Sequence, residues 1–190
     1  MEVFEAIRSR RSVRKFEDRR ISREDLVDLV DYARLAPSGM NKQPLEFIIV
    51  DDSELERELF DYTNWAGAID WDPEPNERPR AYILILVNSD VNPATESHDA
   101  GLAAGNICLG AVGKGLGSCL LGALDKRSIE DMLGVPDQIE LDHAVGLGYP
   151  DQEVVQEESE KIDYWLDERG VFHVPKRPVN EVLHLNRWDD

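Results

Sequence analysis

The sequence predicts one layered domain of the α/β or α+β class, and three observations carry that prediction. Segments with helical period alternate with short segments of strand length, the pattern of helices packed on a sheet. Residues 81–88, AYILILVN, are almost wholly apolar, as in a strand buried on both faces. With 190 residues, 42% of them hydrophobic, the chain suffices for one sizeable core.

The elements follow in order. In EVFEAIRSR, Val3, Phe4 and Ile7 share one face of a short helix. RRSVRKFEDRRI alternates and reads as extended or turn-like. Ser22 can cap a helix on which Leu26, Val27, Leu29, Val30 and Ala33 recur at helical spacing, and Pro37 ends it. PSGMNKQP, 37–44, is a loop, and LEFIIVDD after it a strand. Ser53 with Glu56 reads as the capping box of a helix running to about Tyr62. Residues 65–79 hold three prolines and no period, which makes a long loop; Trp65 and Trp71 there suit either a substrate lid or anchors to the core.

Residues 97–115 form a long helix rich in Gly and Ala, whose small side chains allow another backbone or a flat ligand to approach closely. LGSCLLGAL is a short strand and turn. A helix begins near Asp125 and stops before Pro136, and IELDHAVGLGYP is a further strand. From Asp151 the chain is polar and acidic, with a short helix expected over Glu158–Asp167.

Asp and Glu number 39 against 21 Lys and Arg, 15 of the latter Arg, for a formal net charge of −18. Such a field repels phosphate, which argues against nucleic-acid or anionic-membrane partners. The composition fits an ordinary soluble acidic protein or adaptation to high salt, where carboxylate repulsion is screened over about 3 Å at 1 M. Cys108 and Cys119 form no CxxC pair and read as reduced, buried thiols of a cytoplasmic protein. The N-terminus lacks the apolar run of a signal peptide, and no segment is long and apolar enough to span a membrane.

Chemistry-bearing motifs are few. GKGLGS closes a helix and precedes a strand, the reverse of a dinucleotide fingerprint, so it reads as a helix end with a left-handed Gly. His98, His143, His173 and His184 lack metal-ligand spacing, and no activated nucleophile is visible. If the protein is an enzyme, a cofactor carries the chemistry. The basic run RSRRSVRKF, Arg8–Phe16, stands out in an acidic chain. Its cations suit a helix C-terminus. Alternatively Arg10, Arg11, Ser12 and Arg14 suit a phosphate monoester, for which guanidinium forks are matched, with a second basic spot at Lys176 and Arg177. Ser38, Asn41 and Gln43 on the proline-pinned loop could read the edge of a planar heterocycle, or simply make a polar turn.

Taken together, RSRRSVRKF, DYARLAPSGMNKQPLEFIIV, HDAGLAAGNICLGAVGKGLGSCLLGAL, AVGLGYP and HVPKRPVNEVLHLNRW, in this order over nearly the whole chain, resemble the FMN-dependent nitroreductase family. The resemblance implies an α+β fold: a mainly antiparallel central sheet flanked by helices, in an intertwined homodimer with FMN at the interface. It implies one domain over 1–190, with 151–190 as an arm around the partner subunit. Arg10, Arg11, Ser12 and Arg14 would hold the phosphate and ribityl chain, with Arg177 and Lys176 completing that site. Pro37, Ser38, Asn41 and Gln43 would line the flavin, and Leu121 and Gly122 would offer backbone N–H groups to its reactive edge. The helix from Asp99 to Gly113 would form the dimer core.

The implied activity is hydride transfer from NAD(P)H through FMN to nitroaromatics, quinones or similar small acceptors by a ping-pong mechanism, with no side chain as catalytic acid or base. Departures are the compact length, Leu121 where some members carry an acid, and no evident site for the NADPH phosphate. The alternatives are a flavin-fragmenting or dehalogenating member, an FMN storage or sensing protein, and a cofactor-free dimer.

Overall fold

The structure, a computed structural model, describes residues 2–91 and 96–188, with Glu96 and Ser97 as backbone only. Met1 and the last two residues of the expected C-terminal arm, Asp189 and Asp190, lie outside the described residues. The chain divides into two compact units, one of Met1–Trp65 with Asp72–Asp151, the other of Ala66–Trp71 with Gln152–Asp190.

The first unit is an α+β layer structure. Its elements are α1 (Val3–Ser9), α2 (Arg23–Arg34), β1 (Leu45–Val50), α3 (Ser53–Asp61), β2 (Ala81–Asn88), α4 (Glu96–Gly113), β3 (Gly117–Leu121), α5 (Lys126–Leu133) and β4 (Ile139–Gly148). The strands form one sheet in the order β1-β2-β4-β3, each pair antiparallel. β2 is central and buried from Ala81 to Val87, as its apolar run requires. Leu26 and Leu29 of α2 are wholly buried in a cluster with Ile83 and Ile85 of β2, Ala103 and Ile107 of α4, and Val145 of β4. Burial of each such leucine stabilises the fold by about 1.5–3 kcal/mol relative to exposure. Cys108 and Cys119 are free and buried.

Local signals account for most ends. Ser22 Oγ accepts from the Asp25 N–H, capping α2. Asp125 accepts from the Ser128 N–H, and α5 closes on left-handed Gly134. α4 closes just before Gly115, whose φ is 73°. The expected capping box on α3 is corrected: Asp52, not Ser53, is the cap, its Oδ1 accepting from Glu54 and Leu55 N–H at 2.9 and 3.2 Å. Glu56 is buried and accepts from Arg20 Nη1 at 2.9 Å, so it does not reach back to the helix start.

The second unit holds a three-stranded sheet, β5 (Val154–Glu158), β6 (Trp165–Leu166) and β7 (Phe172–Lys176), in the order β5-β7-β6. β5 and β7 run parallel; β6 and β7 are antiparallel. The helix expected over Glu158–Asp167 is therefore absent. That stretch has no buried apolar stripe to hold a helix, with Ile162 69% exposed, and its ends serve as strands instead.

Candidate functional site

The basic segment is laid along β3. The Val13 N–H donates to the Ser118 carbonyl at 2.9 Å, and Ser12 and Ser118 form a parallel bridge. Further on, Phe16 bridges Pro150 and its N–H donates to the Glu77 carbonyl at 2.9 Å. Val13 and Phe16 turn inward and are buried, while Arg10, Arg11, Ser12 and Arg14 stay half-buried.

Lys15 pairs with Glu77 at 2.8 Å, but Arg10 and Arg11 form no ion pair among the described residues. Arg11 Nη1 donates to the carbonyls of Arg8 and Arg10 at 2.6 and 2.8 Å, while its Nε is buried and without a partner. Burial and the neighbouring charge of Arg10 push the Arg11 guanidinium pKa down. Arg14 Nε donates to the Trp65 carbonyl at 2.9 Å and Nη1 to the Ser12 carbonyl at 3.3 Å. The Ser118 hydroxyl is buried and faces the Cys108 thiol. Guanidinium groups beside one another and an unpaired buried N–H form a donor set that an anion satisfies.

The same strand carries Leu121, about three residue rises or roughly 10 Å beyond Ser118. The Leu121 side chain is buried, so only backbone is on offer there, and Gly122 is exposed. The following turn is fixed by the Asn64 N–H donating to the Ala123 carbonyl at 3.0 Å and by a Thr63–Leu124 bridge.

The Pro37–Pro44 loop is built under strain. Met40, Asn41 and Gln43 have φ of 52°, 56° and 51°. Each such residue costs on the order of 1 kcal/mol, least for Asn, and strain of this kind collects at ligand-binding positions. Ser38 Oγ accepts from the Gln43 N–H at 3.0 Å, and Gln43 Nε2 donates to the Asn41 carbonyl at 3.3 Å. The Gly39 N–H is directed at buried Asp99, at 3.1 and 3.3 Å from its two carboxylate oxygens. Sequence reasoning missed Asp99: one acid in a Gly/Ala helix carries no local signal for a partner 60 residues away. A cavity of about 200 Å³ opens here, lined by Ala33, Pro37, Ser38, Gln43, Phe47 and Asp99 among others. None of Arg10, Arg11, Ser12, Arg14, Leu121 or Gly122 lines it.

In the second unit, Lys176 is exposed at the end of β7. Arg177 is engaged locally, Nη2 donating to the Glu181 carbonyl at 2.8 Å and Nε to its carboxylate at 3.3 Å. Trp65, weighed as lid or anchor, is an anchor: it is buried, tilted against Phe60, and donates from Nε1 to Thr63 Oγ1 at 2.8 Å. Trp71 packs edge-on to Phe172, ring centres 5.0 Å apart.

Other chemistries find no support among the described residues. No His, Cys, Asp and Glu cluster could hold a metal ion, and no helix is long and apolar enough to cross a membrane. Burial pushes the Cys119 thiol up to about 11 and raises Cys108 as well, leaving both as weak nucleophiles.

Known proteins fit these features. A protein of Archaeoglobus fulgidus, provisionally an NADH dehydrogenase/NAD(P)H nitroreductase, is 32% identical over 98% of this chain and 99% of its own. The iodotyrosine deiodinase of Thermotoga neapolitana is 30% identical over 78% of this chain and 89% of its own. A Desulfovibrio desulfuricans nitroreductase-type structure in complex with FMN superimposes with a TM-score of 0.72 at 24% identity, over 100% of this chain and 99% of that one. The sequence profile of the Nitroreductase family matches residues 7–149, the span from the basic segment to the end of the central sheet, and the chain belongs to that family.

Proposed function

We propose that this chain is an NAD(P)H-dependent flavin oxidoreductase that holds FMN in a homodimer and reduces nitroaromatics, quinones or similar small acceptors. The observation that carries the reading is the arginine segment on β3, where Arg10 and Arg11 have no carboxylate partner among the described residues and Arg11 Nε is buried and unsatisfied. That donor set fits a phosphate dianion. Family membership and the FMN-bound Desulfovibrio relative supply the identity of the group.

Arg10, Arg11, Ser12 and Arg14 would hold the phosphate and ribityl chain. Lys176 and Arg177 would complete the phosphate site of the partner subunit, residues 151–190 acting as an arm around it. Pro37, Ser38, Asn41 and Gln43 would line the ring, with side-chain amides as donors and acceptors to its edge. The backbone at Leu121 and Gly122 would polarise the reactive edge. When bound, FMN supplies the two-electron chemistry between donor and acceptor. The protein would contribute position and fixed N–H dipoles. Donor and acceptor would bind in turn at this one site, which is ping-pong order.

A homodimer is supported by what one chain leaves open. A cavity of about 200 Å³ is below the roughly 300–1,000 Å³ of pockets that enclose such ligands. Val3, Phe4 and Ile7 of α1 are 58%, 73% and 55% exposed, and Gly101, Leu102 and Gly105 of α4 are exposed on one face. Apolar surface of this kind is what a second copy covers. The likeness to a deiodinase favours reductive dehalogenation as a second reading for the same flavin site.

The test is an absorption spectrum of the purified protein in molar salt, then anaerobic addition of NADH and of NADPH. A flavin spectrum that bleaches, then recovers with a nitroaromatic or quinone, supports the oxidoreductase; recovery with a halophenol instead supports the second reading. A yellow protein that neither nucleotide bleaches is a flavin-storage protein. A colourless protein that FMN cannot reconstitute overturns the proposal.

A further inference from the structure

We infer that Asp99 is a positioning residue: it sets the backbone of the 38–43 loop and thereby the presentation of Asn41 and Gln43 to the flavin. The inference rests on the flavin reading above for its ligand, and on the loop geometry for its mechanism.

The loop is held at both ends. At its exit, Ser38 Oγ accepts from the Gln43 N–H at 3.0 Å. At its entrance, Asp99 accepts from the Gly39 N–H, with both oxygens within 3.3 Å. Between these anchors lie Met40, Asn41 and Lys42, whose side chains are exposed and pack too little to hold a conformation. Yet Met40, Asn41 and Gln43 all have positive φ. A strained run persists only where its surroundings over-determine it. Ser38 is local and closes the turn in any orientation. Asp99 is the anchor from outside the loop, on a rigid 18-residue helix.

A carboxylate suits this place. Asp99 is 3% exposed, and it sits in the first turn of α4, where the helix dipole favours a negative charge that would otherwise be costly to bury. The charge strengthens its bond to an amide N–H relative to a neutral acceptor. Asp99 also lines the cavity that Ser38 and Gln43 line, so anchor and ligand-reading residues share one wall. Removing the carboxylate leaves the Gly39 N–H without its acceptor, and the loop is then free to relax to right-handed turns that aim Asn41 and Gln43 elsewhere.

The experiment compares the wild type, Asp99→Ala and Asp99→Asn, the last keeping one acceptor oxygen. Hydrogen exchange by mass spectrometry is read on the peptide spanning 37–45 in the apoprotein. Titrations with FMN and with riboflavin, and the visible-region circular dichroism of the bound flavin, are read alongside. Expected for Asp99→Ala are roughly tenfold faster exchange confined to that peptide, weakening of FMN and riboflavin by a similar factor of about ten, and a changed dichroism band. Asp99→Asn restores most of each. The equal loss for both flavins separates a ring-side effect from a phosphate-side one. Unchanged exchange in Asp99→Ala, exchange that rises across all of α4, or an Asn variant no better than Ala overturns the inference. A wild type that binds no flavin overturns the flavin reading and this residue's ligand role with it, while the exchange data still decide whether Asp99 holds the loop.

Discussion

A Cβ on Gly148 would stand 2.6 Å from Cδ1 of Phe16 and 2.8 Å from its Cβ and Cγ, so the last residue of β4 is glycine because the Phe16 ring fills that space. Phe16 is 1% exposed and ends the segment that carries Arg10, Arg11 and Arg14. Gly148→Ala must push the ring outward. Overpacking of this kind costs about 1–3 kcal/mol. Chemical denaturation is expected to show that loss, and FMN titration a weaker phosphate site. Wild-type stability in this variant would mean that the Arg10–Phe16 segment is not seated by the contact.

Arg11→Ala removes a partly buried guanidinium with an unsatisfied Nε. A charge-assisted bond is worth about 1.5–3 kcal/mol, or roughly 10- to 100-fold in affinity. FMN binding is expected to weaken by that factor and riboflavin binding to stay level, because riboflavin lacks the phosphate. Equal losses for both flavins would remove Arg11 from the phosphate site.

Lys114 Nζ bonds Asp25 at 2.7 Å and Asp28 at 2.6 Å, joining the end of α4 to the start of α2. Lys114→Ala is expected to cost about 1 kcal/mol, since the pairs are near the surface. The bonds from Lys114 and from Ser22 hold the Asp25 carboxyl below its ordinary 3.8. A lowered folded pKa stabilises above the ordinary value and is lost as pH falls beneath it. The stability gap between wild type and variant should therefore be full at pH 7 and shrink below about pH 4. Urea midpoints at pH 7 and 3 check it; a gap that persists at pH 3 refutes the assignment.

In the second unit, His173 Nδ1 bonds the Glu157 carboxylate and Nε2 lies 3.6 Å from Asp167 Oδ2. Trp165 stacks on the ring at 4.8 Å. Arg169, bonded to Asp167, is the opposing cation. Glu157 foremost raises the His173 pKa above 6.5. A raised folded pKa stabilises below the unfolded value and loses that contribution as pH rises through the folded one. Melting followed by tryptophan fluorescence should thus weaken as pH climbs above about 6.5, and the His173→Gln variant should show a flatter profile. Identical slopes would show that the imidazolium is not what joins these strands.

Legibility in the sequence followed the range of the interactions. β2 and α2 were readable because one apolar run and one Ser-capped stripe state their burial locally. α5 was readable from Asp125 at its start and Pro136 beyond its end. The sheet of the second unit was not, because β5 is half polar and pairs in parallel with a strand that starts 18 residues later, while β6 is two residues long. At the site, the arginines announced themselves by contrast with an acidic chain. The left-handed run at Met40, Asn41 and Gln43 did not, since only Asn has any preference for that conformation. Asp99, which holds it, is brought there by tertiary structure alone.

The second unit is assembled from two stretches of chain, Ala66–Trp71 and Gln152–Asp190, and this sets an order of events during synthesis. Trp71 leaves the ribosome about a hundred residues ahead of its neighbour Phe172, a delay of roughly 5–20 s at about 5–20 residues per second. Through that interval an indole destined to pack edge-on against a ring waits without it. The second unit therefore closes last, after the sheet that carries the arginine segment is already complete.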